Sequence, residues 1–396
     1  MQVNLKKDVR KRKTVENKAR NKQNNQFMSL GPIKFGTLQI RRLPVGTLLL
    51  ALLLGAGILL ACEVASRFDA VSAELPPPSV GCGHQQLDTK LEQLELLAKT
   101  KGRVDCLIFG NSMVFRDIDP AVMVSAYRQQ TGNSIVCYNF GLMGLSEPAA
   151  APLARALVNK YRPRLLIFGS SPGSMDEDVG KFLTKRILAN PWILYHQGEF
   201  SLDGWLIEHS RAYRHYIGHR YLSRQRSEVR LKKIAGQRKR IGLVSTEFGY
   251  ADTDIIRMES MADLEGDDPL RDGLLLRKLK KYRIDAAHLD ALEQILALDR
   301  RIPVLMLEMP YHPRLMEYLP DAQPIYDDVI GKIDTLARRH QVLFLRSQPL
   351  RLVSDEGWFD LNHMNGTGAR IFSRWLGEQL GQAVRDGKLK DPALQE

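Results

Sequence analysis

Four short segments of this chain hold residue types that together can carry acyl chemistry. Near the C-terminus stands Asp360-Leu361-Asn362-His363, followed by Met364-Asn365-Gly366-Thr367-Gly368-Ala369 and a helical stretch, Arg370–Leu380. An aspartate three residues ahead of a histidine, on a turn entering a helix, can place its carboxylate on the imidazole. That contact fixes the tautomer and stabilises the imidazolium formed when the ring takes a proton. Far upstream, Gly110-Asn111-Ser112 ends an apolar run. A serine on a strand-to-helix turn is exposed at the edge of a sheet, with backbone N–H groups beside it that suit a developing oxyanion. Its bland counterpart is a helix N-cap serine. The other segments are Asn139-Phe140-Gly141-Leu142-Met143-Gly144, where glycine lets backbone approach a substrate closely, and Gly169-Ser170-Ser171-Pro172.

Such residues act only if something brings them side by side, and the surrounding pattern supplies it. Val104–Phe109, Ser134–Asn139, Arg164–Phe168, Ile302–Leu307 and Gln341–Leu345 are short apolar runs separated by helical sequence. Runs apolar on both faces suit buried parallel strands of an α/β sheet. In such sheets the site forms just past the carboxyl ends of the strands. The expected fold is therefore α/β, with a parallel sheet of about five strands. Leu87–Thr100, with apolar positions at Leu87, Leu91, Leu94, Leu96 and Leu97, reads as an amphipathic helix ahead of the sheet.

Taken in this order at the ends of successive strands, the segments resemble the SGNH (GDSL-type) hydrolase superfamily. The resemblance covers roughly 104–171 and 302–380. It implies a flavodoxin-like three-layer fold, with Ser112 as nucleophile, His363 as general base and Asp360 as its orienting partner. It also implies an oxyanion hole made by the N–H of Ser112, the N–H of Gly144 (aligned from Asn139 through an N-x-x-x-x-G spacing) and the side chain of Ser171. Two departures stand out. The first block reads Gly-Asn-Ser rather than Gly-Asp-Ser, and Ser171 falls where the family has an asparagine. A hydroxyl is less fixed than an amide, and loss of one oxyanion donor costs on the order of 10²-fold in rate. The Ser-Pro in that block, an N-terminal anchor and the late Asp-x-x-His are similar to a membrane-anchored branch. That branch includes the D-alanylation protein of lipoteichoic acid assembly and the alginate O-acetylation proteins. The resemblance implies acyl transfer to an envelope glycan or polyol polymer beside a membrane-bound O-acyltransferase partner.

The anchor is read from the residues themselves. Leu43–Cys62 is 20 residues without a charge; at about 1.5 Å per residue that is roughly 30 Å, a bilayer core. Residues 1–42 hold twelve Lys/Arg and two acids, a net +10 of the chain's +12. Basic residues stay on the cytoplasmic side, so the C-terminal body is expected to be periplasmic or extracellular. The tail is expected to touch anionic lipid, and with only +2 left for the body a nucleic-acid partner is not expected. Residues 63–100 read as a Pro-rich stalk and linker helix, 101–396 as the sheet domain, and 173–301 as a helical insertion. That insertion carries a basic stretch from Arg224 to Arg240 and an acidic run from Glu259 to Asp268.

Cys62, Cys82, Cys106 and Cys137 show no zinc spacing, so neither metal nor cofactor is expected. Cys106 and Cys137 read as buried strand residues, with a disulfide left open. Met309-Pro310-Tyr311-His312-Pro313 follows the fourth run, so His312 is a site-lining candidate or an ordinary loop histidine. Three readings of function follow: a serine-dependent O-acyltransferase or esterase, a catalytically silent scaffold that binds polymer or an acyltransferase, and a lipid esterase.

Overall fold

The computed structural model describes residues 45–175, 180–223, 286–313 and 322–394, together with 246, 248–250, 284 and 315. The basic tail, the Arg224–Arg240 stretch and the Glu259–Asp268 run lie outside the described residues, as do Leu43 and Pro44. The chain divides into two units, 1–59 and 60–396. The apolar segment is helical: α1 spans Val45–Ala65, its residues exposed as far as Cys62, and by length and composition it is long and apolar enough to cross a membrane.

In the second unit, α2 (Asp69–Glu74) and α3 (Gln85–Lys101) precede the sheet. All five expected runs form strands: β1 Cys106–Gly110, β2 Cys137–Gly141, β3 Leu165–Ser170, β4 Val304–Glu308 and β5 Leu343–Leu345. They pair entirely in parallel, in the order β2-β1-β3-β4-β5. This is the flavodoxin-like order, whose chain reverses its direction of winding at β1. Between β1 and β2 lie α4 (Ser112–Asp117) and α5 (Pro120–Thr131). The β2–β3 crossover is α6 (Glu147–Tyr161); α11 (Ala286–Leu296) leads into β4, and α12 (Ala322–Arg339) joins β4 to β5. The C-terminal helix is α13 (Gly366–Arg385). Right-handed crossovers in opposite directions put α5 and α6 on opposite faces. Accordingly α13 packs on α5, and α11 packs on α6. Between β3 and α11 the described chain is helical: α7 Lys181–Leu188, α8 Pro191–His196, α9 Leu202–His209 and α10 Arg211–Ser223.

The strands start one to three residues later than their apolar runs, and four of the five also end one or two residues later, for two reasons. At the start, Asp105 is occupied otherwise: its carboxylate takes the Val136 N–H at 2.8 Å and pairs with Arg103 and Arg164. At the other end, glycines continue the ladder. Gly110 lies in register with Gly141 on one side and Gly169 on the other. These three glycines form a floor for α4. A Cβ on Gly141 would lie 2.3 Å from the Phe115 N; on Gly110 or Gly169 it would lie within 2.5 Å of a Val114 methyl.

The Pro-rich stretch and α3 are built into the body rather than projecting from it. Ser79 N–H donates to Arg214 O, and Glu63 accepts from the Ser210 hydroxyl (2.7 Å) and the N–H groups of Arg211 and Ala212, where α10 begins. Leu87, Leu91, Leu94 and Leu97 of α3 are core residues. Lys90, on the same stripe, is 1% exposed; its ammonium donates to Asn139 O and Gly249 O at 2.6 Å each and stands 4.4 Å from the Phe115 ring centre. Burial drives its pKa well below the usual lysine range. Asn139 N–H in turn donates to Phe248 O, so the exposed edge of β2 is covered by 248–250.

The glycine floor gives a test. Gly141→Ala forces backbone against backbone, an overpacking cost of about 1–3 kcal/mol, and thermal melts should show a clear loss. Gly331→Ala, on α12 with nothing within 4 Å of the new Cβ, should raise the midpoint, since alanine is favoured over helical glycine by about 1 kcal/mol.

Candidate active site

Ser112 is the first residue of α4, immediately past β1 at the point where the sheet reverses its winding. Asn111 caps the helix: its Oδ1 accepts the Met113 N–H at 2.9 Å. The far end of α4 is held by Asn139, which is fully buried. Its Nδ2 donates to Val114 O and Ile118 O at 2.7 Å, and its Oδ1 takes the Gly141 N–H at 2.8 Å. Asn139 is therefore a strut for the serine-bearing helix rather than part of a loop.

The Asp-His segment is a tight turn closed on itself. Asp360 Oδ1 accepts the N–H groups of Asn362 and His363, each at 2.8 Å. Phe359 N–H donates to His363 O, and Trp358 pairs with Met364 across the turn. Asn365 then caps α13 through the N–H groups of Thr367 and Gly368. Two contacts hold this turn against α4 and α5. Met364 N–H donates to Asp117 Oδ1 at 2.9 Å, and Asp119 N–H donates to the Ser373 hydroxyl of α13 at 2.7 Å. Gly377 lets α13 come close, since a Cβ there would lie 2.2 Å from Met123 O.

The result is an unbroken line of hydrogen bonds. His363 Nδ1 lies 2.9 Å and 3.0 Å from the two Asp360 carboxylate oxygens, and Nε2 lies 2.9 Å from Ser112 Oγ. With Nδ1 donating to the carboxylate, Nε2 is left to accept the serine proton. The imidazole and carboxylate are 15% and 17% exposed, open enough to meet a substrate and dry enough to strengthen the pairing. Burial works to raise the Asp360 pKa, but the His363 hydrogen bond and charge, with two backbone N–H groups, outweigh it and hold the carboxyl below its ordinary range. It stays ionised at neutral pH.

Gly144 is the third residue of a turn closed by Leu145 N–H to Leu142 O; its φ of +74° is one that glycine adopts without strain. Ser171, by contrast, has no exposed surface. Its hydroxyl accepts from Asn111 Nδ2 at 3.3 Å, and the nearby Tyr311 phenol takes the Gly173 N–H at 2.7 Å. Neighbouring Ser170 and Ser174 hydroxyls donate to buried Glu147 at 3.0 and 2.6 Å. His312 is a buried framework histidine: its N–H donates to Leu361 O and its ring packs on Trp358 at 5.4 Å, behind the Asp-His turn. Among the described residues, no group of three or more His, Cys, Asp or Glu is placed to hold a metal ion. Cys82, Cys106 and Cys137 are buried free thiols, the last two facing each other in register.

Sequence reasoning missed Asp117. It is fully buried with Oδ2 unpartnered, and burial, opposed by the Met364 N–H and reinforced by the Asp360 charge, pushes its carboxyl well above the usual range. An acid at the end of the short Ser-Met-Val-Phe-Arg-Asp helix gives no pattern that marks it as buried.

No protein-family model matches the chain, and no curated protein matches it. Solved structures similar to it include the lipase/acylhydrolase from Enterococcus faecalis, at 10% identity and TM-score 0.34, covering 74% of this chain and 100% of that one. A catalytic mutant of an acetylxylan esterase from Geobacillus stearothermophilus matches at 10% identity and TM-score 0.34, covering 72% and 96%. The inhibitor-bound M. smegmatis aryl esterase matches at 14% identity and TM-score 0.30, covering 71% and 98%. At these TM-scores the likenesses carry no argument about activity.

Asp117 yields a pH test. Its neutral form is favoured by folding, so the associated stability is full below about pH 4, the unfolded value, and is lost as pH rises through the folded value. Asp117→Asn keeps an acceptor for Met364 and cannot ionise. Its thermal midpoint relative to wild type should therefore improve between pH 4.5 and pH 8. A difference unchanged across that range would mean that Asp117 titrates normally.

Proposed function

We propose that the protein is a serine-dependent acyltransferase or esterase. The Ser112–His363–Asp360 line of hydrogen bonds is the observation that carries this reading. Ser112 Oγ attacks the acyl carbonyl while His363 Nε2 takes its proton. The carbonyl π pair moves onto oxygen, and that oxyanion rests on the N–H groups of Ser112 and Gly144 with the Ser171 region beside them. On collapse the C–O bond to the leaving alcohol breaks, and His363 returns the proton to that alcohol. An acceptor hydroxyl, or water, then attacks the acyl-serine, its proton passing to His363 and on to the departing Ser112. Asp360 orients the ring and offsets its positive charge throughout. No metal or cofactor enters any step.

In this reading α1 anchors the chain as a single-pass membrane protein, with the basic tail cytoplasmic and the sheet domain periplasmic or extracellular. The acyl group is small, such as acetyl or D-alanyl. The acceptor is an envelope polysaccharide or polyol polymer, and a membrane-bound O-acyltransferase is the natural source of acyl groups. The alternative, a silent domain that binds polymer or the acyltransferase, draws on one observation: the Ser171 hydroxyl is buried and engaged rather than open to a substrate.

Serine-directed labelling separates the two. Full-length protein in detergent should react with a fluorophosphonate probe, and Ser112→Ala should abolish that labelling. Equal labelling of both would sink the proposal. Asp360→Asn should leave the fold intact and lower turnover of p-nitrophenyl acetate by about 10³–10⁴-fold, because the ring then favours the wrong tautomer.

A further inference from the structure

We infer that the side-chain amide of Asn111 is a catalytic oxyanion donor, and that Ser171 is the positioning residue that aims it. The inference deepens the proposed function and rests on it.

The orientation of the Asn111 amide is set by its neighbours. Met113 N–H can only donate, so the atom 2.9 Å from it must be Oδ1. That leaves Nδ2 on the opposite side, 3.3 Å from Ser171 Oγ. An amide nitrogen carries two hydrogens. One is engaged by Ser171, and the other belongs to a half-buried side chain adjoining the reacting serine. Ser171 is differently placed. It has no exposed surface and its oxygen accepts from Asn111. A hydroxyl with no exposed surface is closed off from a substrate oxyanion. The Asn111 Nδ2–H to Ser171 Oγ bond therefore runs inward from the site and fixes the amide at its outer end.

Negative charge develops on the carbonyl oxygen as Ser112 Oγ bonds to carbon. A fixed N–H beside that oxygen is worth more in the transition state than in the ground state, so its loss should appear in kcat with little change in KM. Asn111→Asp is the sharpest variant. It is isosteric and keeps an oxygen to cap Met113, but it has no amide hydrogen. If that variant folds poorly, Asn111→Ser keeps a good helix cap and also lacks the amide.

The test uses full-length protein with p-nitrophenyl acetate. Asn111→Asp should lower kcat by about 10²-fold or more with KM nearly constant and the melting midpoint close to wild type. Ser171→Ala should lose less, because it loosens the amide without removing it. The double variant should be no slower than Asn111→Asp alone, since Ser171 acts only through the amide. Two results would overturn the inference: kcat unmoved in both Asn111 variants, or Ser171→Ala as damaging as Asn111→Asp with the two effects multiplying. The second would make Ser171 a donor in its own right. Wild type labelled at Ser112 with either result removes only the role of Asn111; failure of Ser112 labelling removes the serine chemistry itself.

Discussion

The constraint on which this molecule depends is steric. Gly110, Gly141 and Gly169 stand abreast at the carboxyl end of three adjacent strands, and α4 rests on them with its backbone and Val114 where side chains would otherwise be. The serine at the start of α4 is thus set at a fixed height above the sheet. Close packing makes the placement definite: with contacts this tight there is no second seat for the helix. The Asp-His turn is then brought to the same end by α13, which approaches α5 through Gly377 and is linked back to α4 by Asp117. Remove the floor, and every distance in the site changes together.

Around that contact the protein buries polar groups that globular cores usually avoid. Asn139 satisfies two carbonyls at the end of α4 and one N–H of β2. Lys90 donates to carbonyls on β2 and on the segment beyond it. Asp117 receives the Met364 N–H at the cost of holding a carboxyl in a dry place. An unmatched buried polar group costs about 1–3 kcal/mol, so such groups define geometry more than they add stability. Each ties a backbone segment that has no ladder partner there, and those segments carry the site.

Much of this was legible in the sequence. Each of the five apolar runs became a parallel strand, and the ends of the first three are where the candidate site lies. Asp360 and His363 form the expected contact, because three residues of turn leave a carboxylate little choice but the neighbouring imidazole. Lys90 could have been read: it falls at the i+3 position of the Leu87–Leu94 stripe, so a charge on the buried face was visible. The partner of Ser171 was not. Nothing local tells that a hydroxyl after β3 will meet an amide after β1, since that meeting depends on strand order. The stalk reading of the Pro-rich segment is a similar case. Proline marks a stiff, extended chain, but whether such a chain projects or docks is decided by a surface more than a hundred residues away, here α10.

Ser112 and His363 are 251 residues apart, and the imidazole arrives on the turn that leads into α13. A chain made from its N-terminus can form β1, α4 and the glycine floor before that turn is synthesised. At that stage it holds a serine with no group to take its proton. The Asp391 carboxylate that receives the Tyr127 phenol and the Asn133 amide comes later still. Assembly of the hydrogen-bonded line is thus scheduled by chain order: Ser112 has no imidazole beside it until the turn that carries His363 has been made and folded back.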